Sequence, residues 1–260
     1  MQRLDKILSS VGVGSRKELR AAIRAGRVTV DGAVCRDESG KFDEMAAEIF
    51  LDGQRVELLR PVLILLNKPA GFLTAADDPR QKTVMELIPE RWRRFGVMPV
   101  GRLDKDTEGL LLLTNDGQLA HRIISPRHGI WKTYYCEHEG MACADDVRAF
   151  EEGLLLADGL SCLPARLLPL GPGRSAVRVQ EGKFHQVRRM MAARGLPLSY
   201  LNRVSEGGLW LDDLAPGAVL ELDMGETERK ITSSCDFDEE KLLANCVRNT
   251  WAFGAIDEKL

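Results

Sequence analysis

The sequence has no long hydrophobic stretch. Its longest uninterrupted apolar run is Val62 to Leu66, far short of the ~20 residues that a membrane-spanning helix needs. Its first eight residues, MQRLDKIL, carry charges where a secretory signal has an apolar core. The composition, with 44% hydrophobic and 29% charged residues, is that of an ordinary globular protein. We therefore expect a cytoplasmic chain with no membrane partner.

Cysteine and histidine are few and scattered. No two of the six cysteines form a C-x-x-C pair, and the four histidines are too dispersed to define a metal site or a proton relay. This spacing favours neither a zinc site nor a disulfide framework. The sequence also lacks a Walker loop and a G-x-G-x-x-G turn. We therefore expect chemistry without a metal or a cofactor.

Positive charge is concentrated at the N-terminal end. The net charge of the whole chain is only −3, but residues 1–36 contain eight Lys and Arg against three Asp and Glu, a local charge of +5. Such an asymmetry indicates an anionic partner at this end of the chain.

Two short helices and a hairpin are predicted in the same region. Residues 3–10 have helical periodicity. After a glycine break, Ser15 and Glu18 fit a capping box that opens a second helix, which ends near Ala25. Residues 28–35 alternate as strands do and are interrupted by Asp-Gly, which suits a type I′ hairpin turn.

The second predicted helix carries a row of basic residues on its outer side. A solvated face is the simpler interpretation of such a row. Because Glu18 is the only acid near them in the sequence, we favour contact with phosphates. The predicted RNA-binding residues of this end are Arg3, Lys6, Arg16, Lys17, Arg20 and Arg24.

These segments together resemble a known RNA-binding module. RLDKIL followed by SRKELRAAIRAGRVTVDG is similar to the S4 domain of ribosomal protein S4 and of many RNA-modifying enzymes. The resemblance covers about residues 2–58 and implies RNA binding through the two-helix surface.

The remainder of the chain mixes strands and helices without regular βαβ alternation. The apolar run from Val62 predicts a buried strand, and 132–135 and 177–179 also look like strands, whereas 145–152 and 185–194 look helical. This order predicts an α+β fold with a largely antiparallel mixed sheet. The predicted division is 1–58 for the S4 domain, 59–61 for a linker, 62–232 for a catalytic domain and 233–260 for a C-terminal extension of unknown role.

A charged loop bounded by glycines lies between two predicted strands. In GRLDKDTEGLLLLTNDG, Asp104 and Asp106 suggest an acid/base pair of the glycosidase type, but residues two apart in a loop can be held at many separations. Arg102 and Asp104 also fit a simple surface salt bridge. The local pattern leaves these alternatives open.

This loop and four further segments resemble motifs of one enzyme family, which helps to choose between these alternatives. GRLDKDTEGLLLLTNDG is nearly identical to the motif of the catalytic aspartate in RsuA-type pseudouridine synthases. NKPAG, SPRHGIWKTYY, EGKFHQVRRMMAARG and GGLWLDDLAPG resemble other motifs of that family and occur in the family's order. With the S4 match, the resemblance spans about residues 2–225, and it implies an isomerase that converts uridine to pseudouridine in RNA.

The resemblance assigns three catalytic residues. Asp104 matches the catalytic aspartate, Tyr134 the tyrosine that stacks on the target base, and Arg188 the arginine that pairs with the aspartate. Asp104 either attacks C1′ or acts through a glycal route, and the sequence does not choose between them. Tyr135 should belong to the core, because neighbouring strand residues face opposite sides.

The remaining expectations concern RNA. Lys68, Lys183 and Arg189 are predicted phosphate contacts, and Arg102 either fills the space left by the flipped uridine, binds a phosphate or pairs within the protein. The wording of the motifs is closest to the small-subunit enzyme, which implies uridine 516 of 16S rRNA as the target. A 23S rRNA synthase of the same subfamily and a non-catalytic RNA-binding assembly factor are the alternatives. We expect a monomer that acts on ribosomal RNA within a ribonucleoprotein assembly intermediate.

Overall fold

The chain forms two compact units, Met1–Pro61 and Val62–Leu260. A computed structural model describes residues 1–43, 47–56, 60–232, 240–242 and 244–245. The predicted linker 59–61 and the predicted extension 233–260 therefore lie partly outside the described residues. No helix in the described ranges is long and apolar enough to cross a membrane.

The first unit contains two helices and short antiparallel strands. Its elements are β1 (Gln2–Arg3), α1 (Leu4–Ser10), α2 (Arg16–Arg24), β2 (Val28–Val30), β3 (Ala33–Cys35), β4 (Lys41–Phe42), β5 (Ile49–Leu51) and β6 (Gln54–Arg55). β1 pairs with β4, and the other strands form a sheet in the order β3-β2-β5-β6.

Local sequence signals set these elements. The hydroxyl of Ser15 accepts a hydrogen bond from the Glu18 amide, and the Glu18 carboxylate accepts one from the Ser15 amide, so the predicted capping box is present. Between β2 and β3, Asp31 and Gly32 both have positive φ, as the predicted type I′ turn requires. The helices and β2 enclose one apolar cluster that includes Leu4 and Ile23.

A buried carboxylate joins the two helices of this unit. Asp5 is only 2% exposed, and its two oxygens accept hydrogen bonds from Arg3 Nε at 3.0 Å and Arg20 Nε at 2.7 Å. These hydrogen bonds, above all the one from Arg3, lower the pKa of Asp5 to about 2, against the cost of burial. The ion pairs thus connect the N-terminus and α2 through α1.

The second unit is built on a nine-stranded sheet. Its strands are β7 (Leu63–Lys68), β8 (Met98–Val100), β9 (Glu108–Thr114), β10 (Lys132–His138), β11 (Arg166–Pro169), β12 (Arg174–Val179), β13 (Leu198–Glu206), β14 (Leu209–Trp210) and β15 (Val219–Leu222). Its helices are α3 (Glu90–Arg93), α4 (Gly117–Ile124), α5 (Ala144–Glu152), α6 (Gln186–Ala193) and α7 (Met224–Thr232), with 3₁₀ turns at Val84–Leu87 and Pro126–His128.

The sheet is mixed but largely antiparallel. Its main path is β11-β12-β10-β13-β9-β7-β15, with β8 beside β9 and β14 beside β13. Only the pairing of β13 with β9 is parallel among the pairs of the described strands. The predicted α+β class with a largely antiparallel mixed sheet is therefore confirmed.

Apolar layers cover both faces of the central strands. Along β7, Ile64 and Leu66 belong to one core cluster, and Leu63 and Leu65 belong to another. This explains why the run from Val62 to Leu66 is continuously apolar instead of alternating. β10 separates its side chains in the same way, because Tyr134 belongs to the first cluster and Tyr135 packs in a third with Trp210. The prediction that Tyr135 is a core residue is confirmed.

Part of the chain beyond α7 packs against this third cluster. Residues 240–242 and 244–245 are helical, and Leu242 is fully buried beside Trp210. The side chain of Asn245 accepts a hydrogen bond from the Asp212 amide at 2.8 Å. These contacts attach the described part of the C-terminal extension to the second unit.

We predict that Asp5→Asn destabilises the first unit by about 2 kcal/mol at neutral pH. Because the folded-state pKa of Asp5 is lowered from 3.8 to about 2, its contribution is complete above about pH 4 and is lost as the pH falls toward 2. Urea unfolding of the full chain, followed by hydrogen exchange in α1 and α2, measures the loss at neutral pH.

Glu38→Gln is the matched control for this measurement. It removes the ion pair of Glu38 with Arg24, whose guanidinium is mostly exposed, and such pairs contribute less than about 1 kcal/mol. Equal destabilisation by the two variants would contradict the structural role given to Asp5.

Candidate active site

The loop between β8 and β9 carries Asp104 and is fixed at several points. The hydroxyl of Thr74 donates to the Leu103 carbonyl at 2.8 Å and accepts from the Leu103 amide at 3.2 Å. The Thr107 amide donates to the Asp104 carbonyl at 3.1 Å, and the Gly71 amide donates to the Lys105 carbonyl at 2.8 Å. The backbone on both sides of Asp104 is therefore held in place.

The buried side chain of Lys68 binds the backbone of this loop. Its predicted role as a phosphate contact is therefore wrong. Its side chain has no exposed surface. Its ammonium donates to the carbonyls of Pro69, Lys105 and Thr107 at 3.1, 3.2 and 2.7 Å. Burial lowers the pKa of Lys68 to about 8. The ammonium is thus bound inside the protein, where backbone carbonyl oxygens take the place of water.

The three predicted catalytic side chains line one pocket. It encloses about 430 Å³, including space open to solvent, and Asp104, Tyr134 and Arg188 all contribute to its wall. These residues come from the β8–β9 loop, from β10 and from α6, and are separated by 30 residues or more in the sequence. The other charged or titratable residues in the wall are Arg102, Glu181, Lys183 and His185.

The ion pairs at this pocket differ from the predicted ones. Arg188 pairs with Asp106, at 3.0 Å between Nη2 and Oδ2, instead of with Asp104. Nε of Arg188 is buried without a hydrogen-bond partner in the described part of the chain. The group within reach of Asp104 Oδ1 is Nε2 of His185, at 3.5 Å. The sequence predicted neither Asp106 nor His185 in these positions.

His185 has an unusual backbone conformation. It precedes α6 with φ 49° and ψ 32°, in the left-handed region that residues other than glycine adopt only rarely. Its ring stacks on that of Phe184, with centroids 4.0 Å apart and an interplanar angle of 24°. Such strained positions concentrate at functional sites. The left-handed turn is what places His185 in the wall together with Asp104.

Tyr134 lies beside a group of buried charged residues that the sequence analysis did not predict. Its register partner on β13 is Arg203, which is fully buried and donates from Nε to the Leu110 carbonyl at 2.8 Å. Glu206 pairs with Arg203 at 3.7 Å and with Lys132 at 3.6 Å. Burial raises the pKa of Tyr134 and outweighs the opposing effect of Arg203. The phenol therefore stays protonated at neutral pH.

The predicted RNA contacts near the pocket have different environments. Lys183 pairs with Glu181 at 2.8 Å, and Arg189 pairs with Asp158 at 2.5 Å, so each is engaged within the protein. Arg102 is exposed and has no hydrogen bond or ion pair with any described residue. The alternative of an Arg102–Asp104 salt bridge is therefore not seen.

The basic helix of the first unit has more acidic partners than the sequence suggested. Arg20 pairs with Asp5, and Arg24 pairs with Glu38 at 3.4 Å, so the premise that Glu18 is the only nearby acid is wrong. Arg3 also pairs with Asp5. The exposed bases of this surface that have no ion pair within the described ranges are Lys6, Arg16 and Lys17.

The described residues do not suggest a metal centre. No group of three or more His, Cys, Asp and Glu side chains in the described ranges is placed to hold an ion. The pocket wall offers two carboxylates, an imidazole, a buried phenol, an ammonium and two guanidinium groups. These can attack a carbon, move protons, support a planar ring and bind an anion.

We predict that Lys68→Met raises hydrogen exchange at the Thr107 and Glu108 amides. The methionine keeps most of the buried volume but removes the Lys68 donor from the Thr107 carbonyl and leaves the Lys105 carbonyl with the Gly71 amide alone among the donors described above. Lys105→Met is the matched control, since the Lys105 ammonium is exposed and, among the residues that the structure describes, binds only the side chain of Gln81. Unchanged exchange in Lys68→Met would show that the loop does not depend on this ammonium.

Comparison with known proteins agrees with both units. Residues 2–46 match the S4 domain model, and residues 62–154 match the model described as RNA pseudouridylate synthase. An uncharacterised RNA pseudouridine synthase of Bacillus subtilis, YtzG, is 41% identical over 225 residues, which are 85% of this chain and 94% of that protein.

Two further relatives extend the comparison. Ribosomal small subunit pseudouridine synthase A of Escherichia coli is 38% identical over 236 residues, 89% of this chain and 99% of that protein. A crystal structure of a pseudouridylate synthase has a TM-score of 0.62 and 31% identity, and covers 89% of this chain and 100% of its own. The chain belongs to the RsuA-type family of RNA pseudouridine synthases, which are isomerases that act on RNA.

Proposed function

We propose that this enzyme converts one uridine of 16S ribosomal RNA, uridine 516, into pseudouridine. The observation that carries the proposal is the meeting of Asp104, Tyr134 and Arg188 in one pocket. The naming of the Escherichia coli and Yersinia pestis relatives as small-subunit synthases supports the choice of RNA. A 23S rRNA substrate is the alternative.

Asp104 is the group that acts on the sugar. Pseudouridine formation breaks the N1–C1′ bond and makes a C5–C1′ bond. A carboxylate can attack C1′ directly or remove the 2′ proton to form a glycal. The fixed backbone around Asp104 supports either role, because correct placement of a reacting group supplies a large part of catalysis.

Tyr134 supports the target base. A uracil that leaves its helix loses stacking, and an aromatic ring returns about 1–3 kcal/mol of it. Tyr134 is buried on β10 beside Arg203, its neighbour on β13, and these contacts restrict the ring.

Arg188 and Arg102 form the cationic wall of the pocket. Arg188 holds Asp106 at 3.0 Å, and its Nε is buried without a hydrogen-bond partner in the described part of the chain. Arg102 is exposed and unpaired within the described residues, so it is the best candidate in this unit for contact with RNA phosphate.

The first unit is proposed to bind RNA through Lys6, Arg16 and Lys17. These exposed bases lie at the helices of an S4 domain. We propose residues 1–58 as the RNA-binding domain and 62–232 as the catalytic domain, acting as a cytoplasmic monomer on a ribosome assembly intermediate.

We predict that Asp104→Asn reduces pseudouridine formation by at least ~10²-fold, the usual contribution of such a group. The variant keeps the size of the side chain but removes its charge and its nucleophilic oxygen. The test is chemical mapping of pseudouridine in under-modified 16S and 23S rRNA, each offered free and as a partly assembled particle.

Asp145→Asn is the matched control. Asp145 is an exposed aspartate of α5 whose ion pair with Arg148 is also exposed, so this variant should keep full activity. If pseudouridine formed at a 23S position alone, the substrate would be the RNA of the large subunit. If the wild type bound RNA normally but formed no pseudouridine, the protein would be a non-catalytic RNA-binding factor.

A further inference from the structure

The proposed reaction requires a proton acceptor besides the group that acts on the sugar. After the C5–C1′ bond forms, C5 still carries its hydrogen. The electron pair of the C5–H bond must form the C5=C6 double bond of the product, while N1 takes up a proton from solvent. A base in the pocket has to receive the C5 proton whichever route Asp104 follows.

We propose that His185 is this base and is therefore a further catalytic residue of the enzyme. The inference rests on the proposed function, since it concerns the last step of that reaction. It is carried by the position of the His185 imidazole, which lines the same pocket as Tyr134 and lies 3.5 Å from Asp104.

The other groups in the pocket wall are poor acceptors. Arg102, Arg188 and Lys183 are cations at neutral pH and have no lone pair to offer. Tyr134 is a protonated phenol, because burial raises its pKa. Neither group can take a proton from carbon in this state.

The carboxylates are also less suited. Glu181 is occupied by three donors: the Leu163 amide at 2.9 Å, the Gln186 side chain at 2.8 Å and the Lys183 ammonium at 2.8 Å. Asp104 acts on the sugar, at C1′ or at the 2′ proton. Carboxylates are in general weaker bases than imidazole, which matches proton transfer near neutral pH.

The surroundings of His185 suit proton transfer. Its side chain is 42% exposed, so a proton taken from the pocket can pass to solvent. Phe184 stacks against one face of the ring and is itself 77% exposed, which fixes the plane of the imidazole without blocking its nitrogens. The carboxylate of Asp104 stabilises the imidazolium that forms.

The test is single-turnover kinetics of His185→Asn with RNA that carries deuterium at C5 of uridine. Asparagine tolerates the left-handed backbone of this position but has no basic nitrogen. We expect turnover to fall about 10²-fold and a primary deuterium isotope effect to appear that the wild type lacks. RNA affinity should stay unchanged.

A second variant separates chemistry from structure. His185→Gly also suits a positive φ, and added imidazole should restore part of its rate. His121→Asn, an exposed histidine on α4, is the matched control and should behave as the wild type.

Two results would overturn the inference. A slow His185→Asn enzyme without an isotope effect would mean that the histidine only orients Asp104. Full activity in His185→Asn would mean that it takes no part. Failure of the wild type to form pseudouridine is a different outcome, since it contradicts the proposed function itself.

Discussion

The buried ammonium of Lys68 is the contact on which the rest of the site depends. It binds carbonyls at the end of β7 and in the loop of Asp104, and so joins two segments that are nearly 40 residues apart in the sequence. An ammonium without water is costly unless oxygens surround it. Here the backbone provides those oxygens, and the same hydrogen bonds stabilise the loop in the conformation seen. Asp104, Thr107 and the start of β9 all take their positions from this arrangement.

The sheet extends this fixed arrangement to the other side chains of the pocket. β9 lies between β7 and β13, and β13 places Arg203 opposite Tyr134 on β10. Gly109 makes the parallel contact of β9 with β13 possible, because a Cβ there would lie 2.2 Å from the Asn202 side chain and 2.3 Å from the Arg203 carbonyl. One glycine, the second residue of β9, therefore allows the close approach of β9 to β13, the strand that also pairs with the strand of the tyrosine.

The sequence predicted those features that depend on interactions between neighbouring residues. The capping box at Ser15 and the Asp-Gly hairpin follow from neighbouring residues, and motif resemblance predicted that Asp104, Tyr134 and Arg188 share a site. Partners distant in sequence could not be predicted in this way. Lys68 looked like an exposed phosphate contact because nothing nearby reveals its burial. Arg20 looked free because Asp5 precedes it by 15 residues, and the Arg188–Asp106 pair is visible only once α6 meets the loop.

The two hydrogen bonds between Thr74 and Leu103 have a mechanical consequence. They tie the segment before Asp104 to Thr74 and so oppose an outward movement of the carboxylate toward a base-paired helix. The target uridine therefore has to leave its stack and move to the carboxylate. The free-energy cost of unstacking varies with the structure around each uridine, and a fixed loop does not compensate for that variation. A uridine that unstacks easily would therefore reach Asp104 more often than its neighbours.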